Sequence, residues 1–449
     1  MPSAYGLVVH HGQNPLWGDD WPEVRAHWPL DWAVAHLNHG SYGATPSAVS
    51  EARRALLHES DVNPVRWFRR VLPGAVREAR EVIRQFLGAP PGTLALVTNA
   101  SAGVSAVLAA TELGVGEEVL VSDHAYGAVR FAVERAAERA GASVRVARLA
   151  LGATDDEVVA AFAGGLRDCT RLVVVDAVTS PTAMRLPVEG VAAEAHRAGV
   201  PVLVDAAHGP GMLPVDLATT AADFWVGNLH KWACAPAGTA ALFVARPAAH
   251  PVATPIVSWG EHDGFPDAFD QRGTDDLTPW LAAPVALALL SGLGWARLRR
   301  HNAALVAEAQ QVVAAAIALP AQRLWRAPEL SMAVVPLPPG VATDPAGASA
   351  LQAALSDRLG IEAAVTSWNG RGLLRLSAQA YNGPVDYDRL AAGLPGLTGR
   401  WPPSTRNSGS YGGAPSPGAG SAYLGDPPAL RRRIGPAGGA PPSGQTGGR

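Results

Sequence analysis

Val202-Leu-Val-Asp-Ala-Ala-His208 and, after a short gap, Ala222-Asp-Phe-Trp-Val-Gly-Asn-Leu-His-Lys-Trp232 form the stretch that decides this chain. Each segment carries a short apolar run that ends in polar residues, as a buried strand does where it opens into a loop. Asp205 closes the first run, and Lys231 follows the second, 26 residues later. A lysine alone is usually a solvated surface group; paired with an acid at a buried strand end it suits a pyridoxal phosphate site. There the lysine holds the cofactor aldehyde as a Schiff base, and the acid keeps the pyridine nitrogen protonated so that the ring accepts carbanion electrons.

Working outward, short β-rich runs at residues 94–98, 118–122, 143–149, 171–178, 202–205, 224–227 and 239–245 alternate with amphipathic stretches at 128–140, 155–166 and 188–198. Strands separated by helices imply right-handed crossovers and a mainly parallel, seven-stranded α/β sheet between helices, with ligands at the carboxyl ends of its strands. Residues 278–318 predict one or two long helices with Gly292 and Gly294 as breaks. Strands at 332–337, 361–367 and 373–379 and helices at 348–359 and 387–393 complete a smaller α+β domain. The expected organisation is an N-terminal segment, 1–45, packing with the small domain; a large cofactor-binding domain, 46–280; the small domain, 281–396; and a Pro/Gly/Ser-rich tail, 397–449. The tail composition cannot bury enough apolar surface to offset its ordering entropy and predicts disorder.

A formal net charge of −3 gives no basic excess for nucleic acid or a membrane surface. The two cysteines, Cys169 and Cys234, are too few for a disulfide framework and suit a cytoplasmic protein. No signal peptide is read at the start, the apolar run at 281–290 is too short to cross a bilayer, and no metal is expected.

Further candidates cluster around the lysine. Asp205 would form a charge-assisted bond to the pyridine nitrogen, and His208, three residues on, could reach the ring oxygen or simply cap a helix. Thr98-Asn-Ala-Ser-Ala-Gly103 ends a strand and opens a helix near Ser101, which makes a phosphate cup of backbone amides and hydroxyl. Asn228 and His230 could add phosphate bonds. Tyr126 could stack on the pyridine, with His124 as its rival. The Thr179-Ser180 hydroxyls could approach the ring oxygen. Arg375 is a lone cation in the apolar strand Leu373-Leu-Arg-Leu-Ser377; it suits a substrate α-carboxylate, or else an internal ion pair.

At these residues the chain resembles the class V aminotransferases, and the isopenicillin N epimerase group in particular, from about residue 37 to 394. The resemblance is carried by Leu37-Asn-His-Gly-Ser-Tyr-Gly43, Ser122-Asp-His-Ala-Tyr126, Val178-Thr-Ser-Pro-Thr182, Val204-Asp-Ala-Ala-His-Gly-Pro210, His230-Lys-Trp232, Gly273-Thr-Asp-Asp276 and Leu374-Arg-Leu-Ser377. It implies pyridoxal phosphate fold type I, Lys231 as the Schiff-base lysine, Asp205 as pyridinium partner, His208 at the ring oxygen, and Tyr126 as the stacking residue. It puts Ala100, Ser101, Asn228 and His230 at the phosphate, Arg375 at the substrate carboxylate, and Thr274 at the phosphate of a neighbouring subunit in a homodimer; Asn38 is a further candidate for binding substrate. Asn228 stands where relatives carry Ser, and Ala177 where they carry His.

The function this implies is amino-acid epimerisation of an amino-acid or small-peptide substrate, by Cα deprotonation and reprotonation. Carbon–sulfur lysis, transamination and a catalytically silent binding module are the alternatives. A cysteine desulfurase of this fold needs a nucleophilic cysteine in the small domain, and residues 278–449 hold none. An epimerase needs a second proton donor, for which Tyr126 and His39 are the candidates. Arg66, Trp67, Trp259, Trp368 and the 38–42 segment are expected to shape specificity.

Overall fold

The computed structural model describes residue 14 and residues 16–399 except residue 326, so the tail expected to be disordered lies almost wholly outside the described residues. A two-residue strand, Ala35–His36 (β1), precedes a seven-stranded sheet. That sheet is made of Leu94–Val97 (β2), Glu118–Ser122 (β3), Ser143–Ala147 (β4), Thr170–Asp176 (β5), Val202–Asp205 (β6), Phe224–Asn228 (β7) and Ala240–Val244 (β8). The order is β2-β8-β7-β6-β5-β3-β4, with β8 antiparallel to both neighbours and the other pairings parallel. This is the fold type I sheet.

Both faces of the sheet are covered, which is why its strands read as unbroken apolar runs. Alternate residues feed different cores. Val173, Val175, Val202 and Val204 join one, and Leu172, Val174 and Leu203 join the other. The intervening helices follow local signals. Thr154 and Glu157 form a reciprocal capping box at the start of Asp155–Gly165, worth about 1 kcal/mol, and Gly141, at φ 67°, ends Gly127–Ala140.

Beyond the sheet, helices Thr278–Leu293 and Trp295–Ala316 meet at Gly294, whose φ of 87° turns the chain through a 78° bend. Among the described residues no single helix is long and apolar enough to cross a membrane. A second, antiparallel sheet follows, from Met332–Pro336 (β9), Ala364–Trp368 and Arg371–Ser377, over its own core of residues such as Leu305, Val313, Leu374 and Leu390.

The strand expected at 361–367 divides in two. Ile361–Glu362 (β10) pairs in parallel with β1, while Ala364–Trp368 (β11) pairs with Arg371–Ser377 (β12). The break reflects competition for partners. The N-terminal segment takes the first half through Ala35 N–H to Gly360 O at 2.9 Å and Leu37 N–H to Glu362 O at 2.8 Å. The same segment is tied further by Trp21 Nε1–H to Ala380 O at 2.7 Å and by the buried cluster of Trp17, Trp21, Trp28 and Tyr381.

Candidate active site

Asp205 ends β6, and Lys231 lies three residues past the end of β7, its neighbour. Asp205 is buried and Lys231 half-buried. Burial pushes the Asp205 carboxyl up, opposed by the Ala207 N–H donated to its Oδ1 at 3.0 Å and by the Lys231 charge. Burial, with the Arg375 charge, brings the Lys231 amine down to about 7. Lys231 Nζ stands 3.3 Å from His208 Nε2, and His208 Nδ1 accepts the Trp232 indole N–H at 3.2 Å. Burial and the cations of Lys231 and Arg375 hold His208 neutral.

The backbone of Lys231 is closely packed. Gly43 lies against it, where a Cβ would come within 2.2 Å of His230 O and 2.6 Å of Lys231 O. The Lys231 carbonyl accepts from Cys234 N at 2.9 Å and from His39 Nε2 at 3.1 Å. His39 Nδ1 in turn faces Tyr381 Oη at 3.0 Å, and burial lowers the imidazole to about 4. His39 therefore lies behind the lysine backbone, away from Nζ, and is corrected from a proton donor to a support. Cys234, at φ 53° and pushed up to about 12 by burial, is a packed thiol and no nucleophile.

The phosphate end differs from expectation in detail. The helix Ala100–Ala110 is capped by Asn99, whose Oδ1 accepts from Ala102 N at 2.9 Å, so Ser101 lies inside the first turn and is not the cap. The Ala100 amide donates to Asn228 Oδ1 at 2.8 Å. That bond commits the Ala100 donor within the protein and turns the Nδ2 group of Asn228 into the one available to an anion. His230 faces Thr239 O through Nδ1 at 2.9 Å, and burial with the Lys231 charge lowers it to about 4. Its Nε2 is then a lone pair, and donation to phosphate requires the anion itself to bring a second proton.

Arg375, in β12, reaches across to the strand-end region. Its Nη1 donates to Ser180 O at 2.8 Å and Ser180 Oγ at 3.0 Å, and its Nη2 to Asn38 Oδ1 at 3.2 Å and to Ser41 Oγ. Ser180 thus sits at the arginine, while Thr179 turns inward to Thr182 and Met184. Tyr126 caps Gly127–Ala140, half-buried and under the influence of both Asp205 and Arg375; burial raises its phenol. Its rival His124 is fully enclosed, bound to Thr182 Oγ1 at 2.7 Å and Leu149 O at 3.1 Å, and is corrected to a packing residue.

Of the specificity candidates, Trp67 is core and Arg66 pairs with Glu59 on the surface. Trp259 is 93% exposed, as is most of the Thr274 loop. Trp368 stacks on His124 at 4.4 Å and donates to Asp123 O. Within the 38–42 segment, Ser41 backs Arg375. One residue at the site was missed: Asp176 ends β5 in register with Asp205. Burial and the Asp205 charge push Asp176 well above the ordinary carboxylate value, opposed by the Tyr126 amide it accepts. Its signal was there to read: Leu172-Val-Val-Val-Asp176 repeats the apolar-run-then-acid pattern of Val202–Asp205.

This donor set fits pyridoxal phosphate. A buried acid whose charge lacks a full counterpart would meet a pyridinium, an amine near neutrality would meet an aldehyde, and a helix N-terminus with Asn228 Nδ2 would meet a phosphate.

A family model for class V aminotransferases matches residues 43–335. The chain is 34% identical over 401 residues to isopenicillin N epimerase of Streptomyces clavuligerus, covering 85% of this chain and 99% of that protein. It is 29% identical over 398 residues to a probable chloroplastic L-cysteine desulfhydrase of Arabidopsis thaliana, covering 81% and 82%. Among solved structures it is similar to a cysteine desulfurase of Escherichia coli, with a TM-score of 0.68 at 21% identity over 83% of this chain and 97% of that one, a likeness of fold.

Proposed function

Because the chain belongs to the class V aminotransferases, a family of pyridoxal phosphate enzymes, we propose that it is an amino-acid epimerase acting on the α-amino centre of an amino acid or small peptide. The observation that carries this is the 34% identity over 401 residues with isopenicillin N epimerase, joined to a Lys231 amine that stands 3.3 Å from His208 and is lowered to about 7 by burial and the Arg375 charge. At neutral pH a large fraction of that amine is unprotonated and able to take a proton from the substrate Cα. Bound pyridoxal phosphate would supply an aldehyde that captures the substrate amine and a ring that accepts electrons from Cα.

The chain's own residues do the rest. With the cofactor bound, Asp205 would hold the proton on the ring nitrogen, His208 would serve the ring oxygen and Tyr126 the ring face, while Ser101 and Asn228 would hold the phosphate. Arg375, oriented by Ser180, Asn38 and Ser41, grips the substrate carboxylate and so fixes which Cα bond lies beside Lys231. Tyr126, kept protonated by burial, is the second proton donor. The near-complete alignment with isopenicillin N epimerase supports this choice over others in the family. We further take the enzyme to be a cytoplasmic homodimer in which Thr274 reaches the neighbouring phosphate.

The test is incubation in deuterated water with a panel of amino acids and peptides, reading Cα deuterium by mass spectrometry and configuration on a chiral column. Deuterated product of mixed configuration is expected. The desulfhydrase relative favours carbon–sulfur lysis as the second reading, and pyruvate with a released thiol would establish it. Keto acid alone would indicate transamination.

A further inference from the structure

We infer that Trp232 is a positioning residue that fixes His208 as the neutral Nε2–H tautomer, so that this imidazole can only donate toward the Lys231 amine and the cofactor's ring oxygen. The inference rests on the proposed role of Lys231 but follows from hydrogen-bond chemistry. An indole nitrogen donates and never accepts. Trp232 Nε1 lies 3.2 Å from His208 Nδ1, so Nδ1 must present its lone pair. An imidazolium would force two hydrogens between those nitrogens. The one remaining ring proton then sits on Nε2, 3.3 Å from Lys231 Nζ, and a neutral amine is the acceptor it requires.

The indole cannot easily turn away. Trp232 is 2% exposed, its ring lies 5.0 Å from His39, and Met332 shares its cluster. On the backbone side, a Cβ at Gly211 would come within 2.5 Å of the Trp232 carbonyl. Charge acts in the same direction, since Lys231 and Arg375 both disfavour a cationic His208. The consecutive residues Lys231 and Trp232 therefore address the two nitrogens of one imidazole, one as acceptor and the other as donor. A neighbour that sets a tautomer is as important to a histidine's role as the group it serves.

The test uses Trp232→Phe, which keeps an aromatic ring and removes the donor. Apoprotein labelled with 15N at histidine is examined by long-range proton–nitrogen NMR, and the His208 signals are assigned by their loss in His208→Gln. The wild type is expected to show the Nε2–H pattern, unchanged across the neutral pH range. Trp232→Phe is expected to lose that pattern, giving mixed tautomers or a titrating ring. A wild-type Nδ1–H or doubly protonated His208 overturns the inference, and so does a Trp232→Phe spectrum identical to wild type. If the variant does not fold, the wild-type spectrum alone decides. Separately, wild-type protein that forms no borohydride-fixable visible band with added pyridoxal phosphate would sink the cofactor role of Lys231 while leaving the tautomer result intact.

Discussion

Lys231 is held from two sides, and the two sides are built differently. In front, around Nζ, stand Asp205 and His208, whose proton affinities, like that of the amine, are displaced by burial and neighbouring charge, and the Arg375 cation, which lowers both His208 and Lys231. Behind, around the carbonyl oxygen, stand His39, Tyr381, Gln379 and Asn302, a neutral network: Gln379 Oε1 accepts from Asn302 Nδ2 at 2.9 Å, and Gln379 Nε2 donates to Cys234 Sγ at 3.6 Å. The difference separates chemistry from support. Burial displaces proton affinity on both sides, in His39 and Tyr381 as in Lys231 and His208; what differs is that the front groups meet at the Lys231 amine itself, whereas the rear groups bond its carbonyl and one another and so fix the backbone.

The largest expected effect is in front. Lys231→Ala should lower turnover by roughly 10⁴-fold or more, with loss of the borohydride-fixable label. Turnover within tenfold of wild type would erase the distinction between the two sides. Next, Arg375→Lys should reduce kcat/KM by about 10²-fold for free-carboxylate substrates, because the planar fork is lost. Substrates amidated at that carboxyl should show little difference between the two proteins; an equal loss for both would mean the arginine serves the fold and not the substrate.

On the far side, His39→Phe should cost about 1–3 kcal/mol of unfolding free energy, since it strands the buried Tyr381 hydroxyl and removes one of the two bonds to the Lys231 carbonyl. Denaturant titration measures this, and the pH profile of turnover should keep its midpoint. A displaced midpoint would show that the rear network tunes the amine as well as holding it.

The smallest effect sharpens the front itself. Asp176 is raised above the ordinary value of 3.8, so the folded protein keeps its proton where the unfolded chain has released one. The stability this group contributes is full below that value and declines as pH rises through it. Asp176→Asn, which mimics the protonated form, should therefore match wild type in acid and become more stable than wild type toward neutral pH. Thermal melts at acidic and neutral pH would check this. A variant that loses stability as pH rises would mean Asp176 is ionised in the native protein.

The two sides also differ in how readable they were. Asp205, Lys231 and Arg375 each interrupt or end an apolar run, and a charge in that setting is visible from local pattern alone. The same rule would have found Asp176. His39 was noticed only as one of two candidates for a proton donor, and Tyr381 and Gln379 were not singled out, because their meaning depends on residues 39, 234, 302 and 379–381 converging. No periodicity reports contacts of such sequence separation. The exchange between Asn228 and Ala100 was hidden for the same reason: both were assigned to an anion, and the fold paired them with each other.

By itself, the sequence determined the seven-stranded α/β sheet, the acid and lysine at adjacent strand ends, and the chemistry those residue types serve, since alternation, burial and strand-end polarity are local properties of the chain. Only the tertiary structure decided which hydrogen-bonding groups face one another: His39 against the Lys231 carbonyl, Trp232 against His208, and the N-terminal strand against residues 361–362. Those choices depend on short-range directional bonds between distant segments, which exist only once the hydrophobic cores have brought the segments together.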